Sequence, residues 1–172
     1  PSVYWITGLS GAGKTTLSKL FYNLLKSKNL PVILLDGDDL REIFGRASNS
    51  VDNHNREARM ELAMKYSRLC KLLSSQGFIV IIATISLFHE VHTWNRSNIP
   101  KYFEVYLKVP FEELRKRDTK EIYKRFDKGE IKFVAGLDLT IDEPNNADWV
   151  IDFESTSSPN SLAEELLIRS TL

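Results

Sequence analysis

The sequence predicts an α/β fold: a parallel five-stranded sheet flanked by helices, forming one domain over residues 1–172. Three observations carry that prediction. Short apolar runs alternate with longer amphipathic ones. Three of the short runs are nearly continuous in Val, Ile and Leu, as strands covered on both faces must be. A glycine-rich turn then separates the first strand-like run from the first helical pattern.

Taken in order, VYWI (Val3 to Ile6), PVILLD (Pro31 to Asp36), FIVIIAT (Phe78 to Thr84), YFEVYLKV (Tyr102 to Val109) and WVIDF (Trp149 to Phe153) read as strands. Helical periodicity covers Lys14 to Lys28, Asn55 to Ser75, Phe111 to Gly129 and Ser161 to Ser170. Strands that alternate with helices require right-handed crossovers and a parallel sheet. ASNSVDN (Ala47 to Asn53) reads as a loop, and no repeat or low-complexity tract divides the chain.

The 23 basic and 23 acidic residues balance, giving a pI near 7.3. That removes the whole-molecule case for binding nucleic acid or an anionic membrane, though not for a local basic pocket. Cys70 is the single cysteine, so no internal disulfide framework exists, which suits a reducing, cytoplasmic setting. No apolar run reaches membrane-spanning length, and no charged-then-apolar segment opens the chain.

The run GLSGAGKTT, Gly8 to Thr16, fits G-x-x-x-x-G-K-[ST] between a strand and a helix. Glycine costs conformational entropy wherever a turn does not need it. Here the need is a nest of backbone N–H groups at a helix N-terminus, open to phosphate oxygens. Gly8, Gly11, Ala12, Gly13, Lys14, Thr15 and Thr16 would form the nucleotide cradle. Lys14 would reach the β- and γ-phosphates, and the Thr15 hydroxyl would bind Mg²⁺ of an ATP–Mg²⁺ complex.

LDGDDLR (Leu35 to Arg41) lies at the carboxyl end of the second strand, where α/β proteins place ligands. One of Asp36 and Asp38 can hold the metal's water shell while the other takes a proton from an attacking hydroxyl. A short helix would put Asp38 and Arg41 on one face, with the Arg41 guanidinium suited to a phosphate or sulfate. The plain alternative is a turn with an N-cap. Downstream, Leu114 to Lys132 forms a basic stretch that reads as a lid closing over phosphates or as a solvated helix with i,i+4 pairs.

These motifs together resemble the adenylylsulfate (APS) kinase family. The likeness rests on Gly8 to Thr16, Asp36 to Arg41, Ile85-Ser86, Arg117-Asp118 with Lys120 and Tyr123, Gly136 with Asp138, and Glu143-Pro144. It implies a P-loop kinase fold with a basic lid, and phosphorylation of a ribose 3′-hydroxyl on a small-molecule nucleotide. By position it implies Asp38 as the base with Lys14 in the transfer site, Asp36 and Thr15 at the metal, and Arg117 on the ATP side. Arg41, Arg59, Ile85, Ser86 and Lys120 would line the acceptor site. A phosphorylated Ser86 is not needed for direct in-line transfer. The resemblance leaves a homodimer open.

The departures from the family pattern fall on base recognition. Two phenylalanines that clamp the acceptor's adenine fall here at His54 and Val134, Ala58 replaces an Asp, and Leu62 replaces an Asn. Leu87, His89 and His92 replace a Pro and two arginines, while Arg96 remains. Losing both ring faces removes roughly 1–3 kcal/mol of stacking per base. ATISLFHEVHTWNR (Ala83 to Arg96) is more similar to the branch associated with cytidine diphosphoramidate, a capsule-precursor nucleotide, than to sulfate activation through APS. His89 and His92 are expected in an exposed loop or the acceptor pocket, too close for the H-E-x-x-H zinc spacing. Cys70, Trp5 and Trp149 are expected in the core, and Trp94 stays open as a substrate contact. A GTPase-like switch lacks an N-K-x-D signature, and an idle nucleotide-binding module sits badly with Asp36, Asp38 and Arg41.

Overall fold

The computed structural model describes residues 2–44, 55–154 and 157–170. Five strands, β1 (Val3–Thr7), β2 (Val32–Asp36), β3 (Ile79–Thr84), β4 (Tyr102–Lys108) and β5 (Trp149–Asp152), form one sheet in the order β2-β3-β1-β4-β5. Every neighbouring pair is parallel, with Thr7 opposite Thr84 and Tyr106 at the carboxyl ends. The helices are α1 (Lys14–Ser27), α2 (Gly37–Phe44), α3 (Arg56–Ser75), α4 (His89–Asn98), α5 (Phe111–Arg117), α6 (Ile122–Asp127) and α7 (Pro159–Arg169).

The sheet has a separate core on each face, because strand side chains alternate sides. From β1, Tyr4 and Ile6 enter the cluster with Phe21 and Leu25 of α1 and Leu166 of α7. Val3 and Trp5 enter the other, with Tyr66 and Cys70 of α3 and Val91 of α4. All five residues of β1 are buried, as its continuous apolar run requires. Trp5, Trp149 and Cys70 are core residues, as expected.

Two expectations fail. The long basic helix breaks into α5 and α6, because Asp118 leaves the helical path and its carboxylate accepts the N–H groups of Tyr123 (3.2 Å) and Lys124 (2.9 Å). An Asp that can cap a new helix competes with continuing the old one. The stretch after β3 forms α4 rather than a loop. Its inward face carries His92 and Asn95 beside Val91, so the apolar stripe that signals a helix is disguised. The expected loop Ala47 to Asn53 and the candidate His54 lie outside the described residues.

Among the described residues, no helix is long and apolar enough to cross a membrane.

Candidate active site

The glycine-rich turn lies at the carboxyl end of the sheet, between β1 and α1. A Cβ on Gly8 would sit 2.8 Å from the Leu107 carbonyl oxygen, so only glycine lets the loop pass β4 this closely. Gly13 adopts φ 100° just before α1, whose first turn has neither a side-chain cap nor an acidic residue. The opening amide groups of α1 are thereby left to an anion.

Gly11, Gly13, Lys14, Thr15 and Thr16 line a cleft with Asp36, Asp38, Arg41, Arg117 and Lys120. Gly8 and the buried Ala12 do not line it. Asp36 ends β2, and its two oxygens are engaged separately. One accepts the Thr15 hydroxyl at 2.9 Å and the other accepts the Asp38 N–H at 2.9 Å. Asp38, in the first turn of α2, forms an ion pair with Lys120 and another with Arg41 at 3.4 Å. The predicted shared face of Asp38 and Arg41 is therefore present.

Lys14 donates its ammonium to the Leu9 carbonyl at 2.8 Å. Burial, reinforced by Lys120, pushes its pKa down to about 8 against the pull of Asp38 and Asp36. Asp38 shows the opposite balance: burial would raise its carboxyl, but Lys120, Arg41 and Lys14 together hold it below the usual range. A half-exposed carboxylate, kept ionised and ringed by cations, faces the cleft.

Arg117 reaches the Gly11 carbonyl at 3.3 Å, and its guanidinium lies 5.3 Å from the centroid of the Phe153 ring. Sequence reasoning did not single out Phe153 beneath Arg117. Its signal was an aromatic at the carboxyl end of the last strand, and it proves 41% exposed.

A second pocket adjoins the cleft, and the two share Arg41, Thr84 and Ile85. Arg59, Leu62 and Tyr66 of α3 form one wall, Ser86 to Phe88 another, and Leu139 to Ile141 a third. Ser86 adopts φ 33°, and its hydroxyl meets Thr84 Oγ1 at 2.7 Å. Arg59 donates to the Phe133 carbonyl at 2.6 Å; burial and the Arg41 charge both lower its pKa, the signature of two cations facing a common space.

Several expected positions fall elsewhere. Lys120 lines the first cleft, beside the glycine-rich turn, and not this pocket. Val134 is buried in the core, its N–H held by Asp138 at 2.7 Å, and its neighbour Ala135 lines the pocket instead. His89 and His92 are helical and flank a separate small cleft with Arg96 and Glu104. His92 is buried and pairs with the Ser86 carbonyl at 3.0 Å; His89 pairs with the Glu143 carbonyl at 2.8 Å. Trp94 packs beside the core under Lys71, away from both pockets.

Comparison with known proteins agrees with this geometry. The family model described as adenylylsulphate kinase matches residues 1–152. The chain is 40% identical over 171 residues to a cytidine diphosphoramidate kinase of Campylobacter jejuni, covering 98% of this chain and 95% of that one. It is 39% identical over 154 residues to a probable adenylyl-sulfate kinase of Archaeoglobus fulgidus, covering 87% and 94%. Among solved structures, the Mycobacterium tuberculosis APS kinase in complex with AMPPNP and APS superposes with a TM-score of 0.87 at 28% identity, covering 99% of this chain and 98% of that one. With a glycine cradle, a lysine and a caged carboxylate arranged on that fold, the chain belongs to the adenylylsulfate kinase family and is an ATP-dependent phosphotransferase.

Proposed function

We propose that this enzyme transfers the γ-phosphoryl group of ATP to the ribose 3′-hydroxyl of a nucleoside 5′-phosphate anhydride, with cytidine diphosphoramidate as the favoured acceptor. The observation that carries the reading is the position of Asp38, ringed by Lys14, Lys120 and Arg41 in a cleft that opens into a second, mainly apolar pocket. One cavity suits the triphosphate and the other the acceptor, with the carboxylate beside their junction.

In this reading the α1 amides and Lys14 hold the β- and γ-phosphates, and Arg117 with Phe153 offers a face for adenine. Thr15 and Asp36 present a hydroxyl and a carboxylate oxygen beside the cradle, a hard donor pair that fits Mg²⁺, which keeps most of its waters. The bound ion would neutralise charge on the phosphates. Asp38 accepts the hydrogen bond of the 3′-hydroxyl, aims its oxygen at the γ-phosphorus and takes the proton. The new P–O bond forms as the bond to the β–γ bridging oxygen breaks, and ADP leaves with that electron pair. Lys14 and Lys120 offset the charge that develops, the main service a phosphotransferase gives.

The acceptor assignment rests on the pocket walls and on the Campylobacter relative. Leu62, Leu87, Leu139 and Ile141 offer aliphatic surface, and Arg41 and Arg59 supply charge for a diphosphate. Tyr66 and Phe88 are its aromatic lining, and with Val134 in place of one of the family's two clamping rings it favours a compact pyrimidine over an adenine that depends on stacking. The family's other activity, making 3′-phosphoadenylylsulfate from APS, is the competing reading, supported by the adenylyl-sulfate kinases among the relatives. Measuring kcat/KM for both acceptors at equal ATP and Mg²⁺ decides between them. A preference of about 10-fold or more for cytidine diphosphoramidate is expected. A preference for APS returns the enzyme to sulfate activation.

A further inference from the structure

Arg56, the first residue of α3, joins all three walls of the second pocket, although it does not line it. Its guanidinium reaches Asp142 Oδ2 at 2.8 Å and Glu90 Oε2 at 3.2 Å, and lies 5.3 Å from the centroid of the Phe88 ring. Asp142 extends the connection. The same Oδ2 accepts the His89 N–H at 3.1 Å, at the start of α4, and the Asp142 N–H donates to the Leu87 carbonyl at 3.0 Å. Leu87 and Phe88 form one wall, Ile141 ends another, and Ala58 and Arg59 of the third lie two and three residues after Arg56. One planar fork thus ties α3, the start of α4 and the 139–142 stretch together.

We infer that Arg56 is a positioning residue: it sets the width of the acceptor pocket and, through that, acceptor affinity. The inference rests on the reading of this pocket as the acceptor site. The clamp is partly exposed, with 35% of the Arg56 side chain open to solvent, and ion pairs in such settings add little to overall stability. Its geometry matters more than its strength. Asp142 and Glu90 approach from different elements, and only a fork of several N–H donors can hold both and still lie over a ring; a lysine presents one point charge.

The test compares Arg56→Ala, Arg56→Lys and the charge exchange Arg56→Asp with Asp142→Arg. In Arg56→Ala the acceptor KM is expected to rise about 10-fold, with kcat and the ATP KM changed by less than about 2-fold. Arg56→Lys should recover only part of the loss, and the exchange more of it than Arg56→Asp alone. Hydrogen exchange at the His89 and Asp142 amides, measured without any acceptor, should quicken in Arg56→Ala. An unchanged acceptor KM beside normal wild-type turnover overturns the inference. Wild-type protein that turns over neither acceptor overturns the reading of the function instead. The two amides then judge the clamp alone, and unchanged exchange there refutes it.

Discussion

The Thr15 hydroxyl and the Asp36 carboxylate, 21 residues apart, meet at 2.9 Å because α1 and β2 bring them to the same edge of the phosphate cleft. If this pair holds the metal, Asp36→Asn should raise the Mg²⁺ concentration for half-maximal turnover by about 10-fold, the scale of losing one supporting ligand. Titrating Mg²⁺ against initial rate reads this directly. An unaltered Mg²⁺ requirement would reduce Asp36 to a turn residue that holds the Asp38 N–H.

Asp38→Asn keeps the shape of the side chain and removes its basicity. A fall in kcat of roughly 10²-fold or more is expected, with the ATP KM nearly constant. Wild-type kcat in the Asn variant would leave the carboxylate as a partner for Lys120 and no more.

Lys14 carries a pH signature. Its pKa is near 8 in the ligand-free enzyme, and phosphates placed beside it favour the ammonium. ATP binding at pH 8 should therefore take up protons, and at pH 6 it should not. Calorimetry in buffers of different ionisation enthalpy measures this, and Lys14→Ala should abolish both the uptake and phosphoryl transfer. Linkage gives a second sign. Because the folded-state pKa lies below the unfolded value of 10.5, the unfolded chain binds more protons between pH 8 and pH 10.5. The contribution of Lys14 to ligand-free stability thus rises with pH across that window. Proton-neutral ATP binding at pH 8 would contradict the assignment.

Gly136 adopts φ +85°, and a Cβ there would lie 2.5 Å from Phe111 Cζ. Gly136→Ala should destabilise the protein by about 1–3 kcal/mol, from strain and the displaced ring together. Gly129, at φ +70° with nothing within 4 Å, isolates the backbone share and should lose less when changed to Ala. Denaturant melts of both variants check the order; equal losses would show that the ring simply yields.

The sheet and the glycine-rich turn between β1 and α1 were legible in the sequence because each rests on local rules. Continuous apolar runs mark buried strands, and Gly8, Gly13 and Lys14 have few other uses between a strand and a helix. The second pocket was harder to read. Its walls come from α3, the β3–α4 turn and the 139–142 stretch, and no spacing rule links Arg59 to Leu87 or Ile141. The helix α4 went unread because His92 and Asn95 occupy its buried face, which only the fold reveals. Asp118 had the same effect on the basic stretch: its side chain caps α6, and a pattern of charges cannot show that.

The seam formed by Arg41, Thr84 and Ile85 has a practical consequence. Because the phosphate cleft and the second pocket meet across only these shared side chains, a single molecule could occupy both. An oligophosphate tether joining two nucleosides would cross the seam in extended form, held at one end by the α1 amides and at the other by Arg41 and Arg59, with the second nucleoside against the pocket walls. Its adenosine half would be read by the chemistry common to this fold. Its other half would meet surfaces particular to this chain, so selectivity over other kinases could be built into that half alone.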